Sequence, residues 1–499
     1  MEYPQFSTQE TEARRQKREF LVDNNINPYP SKVEKTHSIF KFVGKFETLG
    51  ESDEVSLVGR VMAKRAHGGS TFATINDGSG QTQLFFSRDS LGEDSYDLLT
   101  KIVDTADFIA ATGTPFITKR GEKTIHVQSF YIVTKSLLPL PEKWHGLSDT
   151  ETRFRKRYLD LIMNEEVRER MKARSRIITA IRSVLDSQGF IEVETPTLQP
   201  IYGGGFARPF KTHHNALDAD FFLRISDEMY LKRLIVGGFE RVYEITKVFR
   251  NEGIDHDHNP EFTMFEAQAA YQNHEFGMDL FEEIYEKAAQ AALNTTEIVH
   301  GDITISVARP WKRYSMIESI DKIGGIDVTT WKTVDAAKKS LEKSEIKKEK
   351  LKEMDRMFTL GELIAFAFEE LVEEKLVQPT LIYDYPVEVS PLAKRHADNH
   401  SFTERFEAFA LGMEIGNNYS ELNDPVDLEK RFVEEKKKEE AGFDEAHQTD
   451  NDYLEAIQHG MPPSCGLGIG IDRMTMLLTG ASNIKEVIIF PTLRPTNTV

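Results

Sequence analysis

The sequence predicts an α+β protein of more than one domain: a small N-terminal β-barrel, then a larger domain with a mostly antiparallel sheet and packed helices. Three observations predict it. At 499 residues the chain exceeds one ordinary domain. From about residue 36 to 135 the text consists of short β-like runs broken by turn residues. Beyond about residue 146, extended segments alternate with amphipathic helical ones to the C-terminus.

Hydrophobic residues make up 39% of the chain, enough for packed cores. No run of about 18 apolar residues occurs, so no membrane-spanning helix is expected. The stretch from Met1 to Glu19 is polar and lacks the apolar segment of a secretory signal. Cys465 is the single cysteine, which excludes an intramolecular disulfide and suits a cytoplasmic protein. The net charge of −19 does not favour a nucleic-acid partner. Whole-chain charge governs solubility and steering, however, and a local basic face still holds phosphates. Basic residues gather at Arg14, Arg15, Lys17 and Arg18, and again at Arg60, Lys64 and Arg65.

Residues 1–35 read as a charged helical extension that stops at Asn27-Pro28-Tyr29-Pro30. Residues 36–145 hold the strands, among them Val55-Ser-Leu-Val-Gly-Arg-Val61, Phe72-Ala-Thr-Ile75, Gln83-Leu-Phe-Phe86 and Ile125-His-Val-Gln128. Asp77-Gly78-Ser79-Gly80 lies between two of them as a hairpin turn. Five or so short strands with one helical stretch predict an OB-fold barrel, an architecture that binds oligonucleotides. Residues 146–499 form the larger domain. It opens with a helix over 166–188, apolar at Val167, Met171, Ile178, Ile181 and Leu185 and ended by Gly189. Residues 335–356, rich in Lys and Glu, read as a solvated helical insertion.

Three stretches carry chemistry: Gly189-Phe-Ile-Glu-Val-Glu-Thr-Pro196; Phe249-Arg250-Asn251-Glu252 with His258-Asn259-Pro-Glu-Phe262; and Gly466-Leu-Gly-Ile-Gly-Ile-Asp-Arg473. Singly, a glycine run marks close backbone packing and a strand-ending Arg a surface ion pair. In this order they resemble motifs 1, 2 and 3 of the class II aminoacyl-tRNA synthetases. Within that class the chain is most similar to the lysyl-tRNA synthetases. Ser390-Pro-Leu-Ala-Lys394, Tyr419-Ser-Glu-Leu-Asn-Asp-Pro425, Asn483-Ile-Lys-Glu-Val487 and Trp144-His-Gly-Leu147 extend the likeness over nearly the whole chain.

The resemblance implies ATP-dependent activation of L-lysine and its transfer to tRNA(Lys), by a homodimer joined through the motif 1 helix and strand. It implies that Arg250 contacts the α-phosphate and the amino-acid carboxylate, a task its forked donors suit. Glu252 would read the adenine amino group, Phe262 stack on adenine, and His258 and Arg473 hold the outer phosphates, with Asn259 also at the ATP site. Glu407 and Glu414 match the Mg²⁺ ligands. Gly204, Glu228, Glu266, Gln268, Asn417, Tyr419 and Glu421 match the lysine pocket, in which Glu421 would pair with the ε-ammonium. A buried acid favours a cationic ligand and rejects an anionic one. In the barrel, Phe72, Gln83 and Lys64 match anticodon-binding positions, and stacking plus an edge-reading amide is a common way to read single-stranded RNA.

Two departures from the family pattern stand out. Glu266-Ala267-Gln268 replaces Glu-x-Tyr, and Gly203-Gly204-Gly205 replaces Gly-Gly-Ala. Both imply a looser pocket with weaker lysine binding or wider tolerance of analogues. Two rival readings are a lysine-activating paralogue that modifies a non-tRNA acceptor and a non-catalytic RNA-binding protein of the same fold. The complete barrel argues against the first, and the joint presence of Arg250, Glu252, Glu407, Glu414 and Arg473 against the second.

Overall fold

The computed structural model describes residues 9–50, 52–141, 147, 149–205, 207–440 and 450–495. Of the matched segments, only residues 144–146 lie outside this set. The chain divides into two compact units, Met1–Ser148 and Asp149–Val499.

In the first unit five strands close a barrel in the order β1 (Val55–His67), β2 (Ser70–Asn76), β3 (Gln81–Ser87), β5 (Lys123–Thr134) and β4 (Phe108–Ile117). Period-two alternation builds it: Thr71, Ala73 and Ile75 of β2 are buried while the residues between them are half-exposed. Leu57, Val61, Ile75, Leu84, Phe86, Ile109, Ile125 and Val127 fill the interior. At the tip of the β2–β3 hairpin the Asp77 carboxylate accepts the Ser79 N–H at 2.9 Å. The helix Gln9–Asp23 is not a detached extension. Its Leu21 enters the barrel core, and its Lys17 meets Asp104 at 2.6 Å.

The second unit contains β6 (Ile191–Glu192), β7 (Leu198–Gln199), β8 (Lys211–His214), β9 (Ala219–Leu223), β10 (Arg241–Phe249), β11 (Glu261–Ala270), β12 (Glu297–His300), β13 (Ile303–Ser306), β14 (Lys312–Ser315), β15 (Thr380–Pro386), β16 (Phe402–Ala410), β17 (Met413–Ser420) and β18 (Ser464–Gly470). Eight of them form one sheet in the order β14-β15-β16-β17-β18-β11-β10-β6. It is antiparallel from β15 to β10, with one parallel pair at each end.

The helices Glu165–Ser187, His274–Leu293 and Ile471–Thr479 cover one face of this sheet. Their Ile177, Ile181, Phe281, Ile284 and Leu477 pack on Phe265, Phe406, Ala408, Leu467 and Ile469. The alternate strand residues face the other way and line a cavity. The long first helix ends as expected, with Gly189 at φ +79° just beyond it.

The reading of residues 335–356 as a wet helical insertion is corrected here. An α-helix spans Val334–Leu341 and a 3-10 helix Lys350–Arg356, and Ala337, Leu341, Ile346 and Met354 are buried against Trp331, Leu363 and Phe366 in a core of their own. The many Lys and Glu residues around them masked four widely spaced apolar anchors.

Candidate active site

The register of the large sheet sets the cavity wall in rows. One row runs Glu266–Gly468–Asn417–Glu407 across β11, β18, β17 and β16. The next runs Gln268–Gly466–Tyr419–Arg405 across the same strands. These residues, with Gly204, Glu228, Arg250, Glu252, His258, Asn259, Phe262, Glu414, Glu421 and Arg473, surround a single cavity of ≈ 410 Å³. All fifteen residues that the sequence assigned to this domain therefore meet in one place.

The glycine run lies on β18, and Gly466, Gly468 and Gly470 alternate with the core residues Leu467 and Ile469. A Cβ on Gly466 would fall 2.2 Å from Glu421 Oε1 and 2.4 Å from Gln268 Nε2, so only glycine leaves both side chains in place. Gly468 has no atom nearer than 3.8 Å and is open floor. Gly204 sits at φ +84°, where a Cβ would also strike Ser226 Oγ at 2.7 Å.

At one end of the cavity the groups are cationic. Arg250, at the end of β10, lies with its Cζ 5.2 Å from the Phe262 ring centre on the paired strand. Its Nε is buried without a partner. Burial lowers its pKa, an effect that Glu252, Glu266 and Glu414 oppose. Arg473, near the N-terminus of the helix Ile471–Thr479, donates to the Glu414 carbonyl at 3.2 Å. His258 is exposed and is held by Asp255 at 2.9 Å, and Glu252 is also exposed. Asn259 spends its amide on the chain itself, donating to Glu261 O at 2.6 Å and accepting from Thr492 N at 3.2 Å.

Glu407 and Glu414 stand on β16 and β17, joined by a hairpin with a register shift at Ala408/Phe409. Parity along the sequence could not place them on one face. The irregular register does, and both line the cavity. Glu407 accepts from Tyr385 OH at 2.9 Å and pairs with Arg405. Burial and the nearby Glu407 push the Glu414 carboxyl upward, against the pull of Arg473 and Arg405. Burial and Glu407 likewise push Glu373 up to about 7.

The other end of the cavity is acidic. Glu421 follows β17, is 1% exposed, and accepts from Gln268 Nε2 at 2.7 Å. Burial pushes its carboxyl up to about 7. Glu228, the first residue of the helix Glu228–Val236, accepts from Tyr419 OH at 2.6 Å. Asn417 accepts from Arg405 Nε at 3.3 Å. Glu266 accepts from Ser226 Oγ at 2.8 Å, and burial with Asp227 and Glu228 nearby holds it well above the ordinary carboxylate range.

Sequence reasoning missed Lys232, Arg405, Ser226 and Asp227. Lys232 had a signal, because Glu228 and Lys232 stand at the (i, i+4) spacing of a helical ion pair. Arg405 stands two residues before Glu407 on the same strand face. Nothing in the sequence marked Ser226 or Asp227.

In the barrel, Phe72 of β2 and Gln83 of β3 are half-exposed on one outer face, where Phe72 lies 4.9 Å from Phe85 between ring centres. Lys64, expected on that face, is turned away from it. A register shift between Val61 and Ala63 places Lys64 opposite the buried Ala73. Its ammonium donates to the carbonyls of Leu99 and Thr100 at 3.1 Å and to that of Val103, capping the end of the helix Glu93–Lys101. The cation opposite Phe72 is the exposed Arg65.

Comparison with known proteins agrees with this geometry. A family model described as tRNA synthetases class II (D, K and N) matches residues 149–494. A second, described as OB-fold nucleic acid binding domain, matches residues 55–133. A lysine–tRNA ligase of Pelotomaculum thermopropionicum is 48% identical over 482 residues, covering 97% of this chain and 94% of its own. That of Carboxydothermus hydrogenoformans is 49% identical over 471 residues, covering 94% and 95%. That of Enterococcus faecalis is 46% identical over 487 residues, covering 96% of each. Likeness of this degree, along essentially the full length of both domains, makes the chain a member of the lysine–tRNA ligase family of class II tRNA synthetases.

Proposed function

We propose that the chain joins L-lysine to ATP as lysyl-adenylate and transfers the lysyl group to the 3′ end of tRNA(Lys). The observation that carries this reading is a cavity with guanidinium groups at one end and carboxylates, the half-buried Glu228 and the buried Glu421, at the other. In the first step a carboxylate oxygen of lysine attacks the α-phosphorus and pyrophosphate leaves. The carboxylate is already ionised at neutral pH, so the step needs alignment and charge neutralisation rather than a base. Arg250 bridges the α-phosphate and the carboxylate. Phe262 stacks on adenine, Glu252 accepts from its amino group, and His258 and Arg473 hold the outer phosphates. In the second step a ribose hydroxyl of the tRNA attacks the adenylate carbonyl, loses its proton, and AMP departs.

Glu228 and Glu421 select the ε-ammonium, and the Gln268 carbonyl, buried without a donor, is a further acceptor for it. Glu266 and Gly204 receive the α-ammonium end, and Asn417 and Tyr419 complete the wall. Glu407 and Glu414 fit a magnesium ion, because their crowded negative charge is what a divalent cation would relieve, and two acids with substrate phosphates suit its coordination. The ion, when bound, would neutralise phosphate oxygens as pyrophosphate leaves. Phe72, Gln83 and Arg65 form the surface offered to anticodon bases. A homodimer through the helix Glu165–Ser187 and a cytoplasmic location complete the proposal. Among the described residues no helix is long and apolar enough to cross a membrane.

ATP–pyrophosphate exchange across the twenty amino acids, followed by charging of tRNA(Lys) transcript, tests the reading. Exchange with lysine above all others, and lysyl-tRNA formation, are expected. No exchange with lysine would overturn it. Exchange without charging would point to a non-tRNA acceptor.

A further inference from the structure

Lys232 lies in the one-turn step below Glu228, fully buried, and does not reach the cavity lining. Its Nζ is 2.5 Å from Glu228 Oε1 and 2.6 Å from Glu421 Oε2, the latter an ion pair off hydrogen-bond alignment. It also lies 5.1 Å from the centre of the Tyr419 ring. The two carboxylates that face the cavity therefore share one ammonium behind them. We propose that Lys232 is a resident counter-ion of the amino-acid pocket, which holds Glu228 and Glu421 apart and leaves the pair with a single net negative charge, matched to one incoming ammonium. This deepens the lysine reading above and rests on it.

The physical case is a charge balance. A buried and a half-buried carboxylate that share no cation would retain a proton, since like charges this close do not both ionise in a low-dielectric site. One ammonium permits both to ionise and still leaves one charge for the ligand. Tyr419 donates its hydroxyl to Glu228, Gln268 donates its amide to Glu421, and Tyr453 and Cys465 are buried and neutral, with Cys465 pushed up to about 12 by burial. Glu266 adds a further acid beside Glu228. Burial works to lower the pKa of Lys232, yet Glu228 and Glu421 more than reverse it, so the ammonium persists.

The sign for pH follows. Glu421 must be ionised to hold a cation, so lysine affinity falls as pH drops through about 7. Removing Lys232 removes the group that draws this value down, and the acid limb moves to higher pH. The test is lysine-dependent pyrophosphate exchange at saturating ATP from pH 5.5 to 9. For Lys232→Met, the lysine KM at pH 7 is expected to rise about tenfold or more with kcat within threefold, and the acid limb of kcat/KM to shift up by about one pH unit. Lys232→Arg keeps the charge and is expected to keep the limb near its wild-type position whatever it does to KM. Should Lys232→Met not fold, Lys232→Met/Glu421→Gln removes the ammonium together with the more deeply buried of its two carboxylates. That double variant is expected to fold, with a high lysine KM and no limb above the wild-type one.

A limb that stays in place in folded Lys232→Met, or moves equally far in Lys232→Arg, overturns the inference. So does a raised limb in the double variant. Wild-type protein without lysine-dependent exchange would instead strike the reading of the function itself.

Discussion

Gln268 donates its amide Nε2–H to Glu421 Oε1 at 2.7 Å while its own carbonyl oxygen is buried with no donor. One side chain thus orients the Glu421 carboxylate and sets a second acceptor beside it. Gln268→Ala removes both, at a cost of about 1–3 kcal/mol for the group left unpaired. Lysine KM in pyrophosphate exchange is expected to rise about 10–100-fold, with the KM for ATP unchanged. Equal losses on both substrates would show that the pair only supports the fold.

Arg250 lies in the cavity wall with its Cζ 5.2 Å from the Phe262 ring centre, and the proposed role gives it a forked contact. Lysine at this position keeps the charge and loses the fork. Arg250→Lys is expected to reduce kcat for exchange by about 10²–10³, with thermal stability near that of wild type. Retention of most of the activity would mean that charge alone suffices.

Burial and the neighbouring Glu407 push the Glu414 carboxyl upward, a strain that a bound divalent cation would relieve. Chelation with EDTA is expected to abolish exchange and added magnesium to restore it. Glu414→Gln removes one ligand and one charge, so half-maximal exchange should need about tenfold more magnesium, by the size expected of a single lost interaction of 1–2 kcal/mol. An unchanged magnesium titration would place the ion elsewhere.

The barrel separates two roles that look alike in sequence. Phe72→Ala is expected to reduce charging efficiency about 10–100-fold through lost stacking of about 1–3 kcal/mol, and to leave pyrophosphate exchange intact. Lys64→Met instead leaves the carbonyls of Leu99, Thr100 and Val103 without their cap. Its main effect should be a lower melting temperature of the barrel. If Lys64→Met weakened tRNA binding with no loss of stability, the capping role would fall.

Legibility in the sequence followed the physics of each feature. Residues that alternate along one strand, such as Phe72, Thr74 and the inward Ala73 and Ile75, reveal their faces through period two. The motif residues around Arg250 and the glycine run stood out only through their resemblance to the class II motifs, since spacing alone left them with ordinary structural explanations. Where the register slips, parity fails. The shift at Val61/Ala63 turned Lys64 inward, and the one at Ala408/Phe409 hid the common direction of Glu407 and Glu414. Burial by distant segments was also invisible, which is why the anchors Ile346 and Met354 were lost among charges and Lys232 was passed over.

Gly205 lies where the family pattern has alanine, and a Cβ there would meet Arg250 Nη2 at 3.7 Å, an ordinary contact. The room gained is therefore next to Arg250 rather than beside Glu421.

The backbone floor at Gly466, Gly468 and Gly470 has no side-chain torsions to freeze when a ligand settles on it. Ordering costs of occupancy fall on the walls and on the incoming molecule. Such a surface also has no alternative rotamers with which to reshape itself, so any ligand portion too thick for it meets hydrogen-bonded strand rather than a yielding side chain.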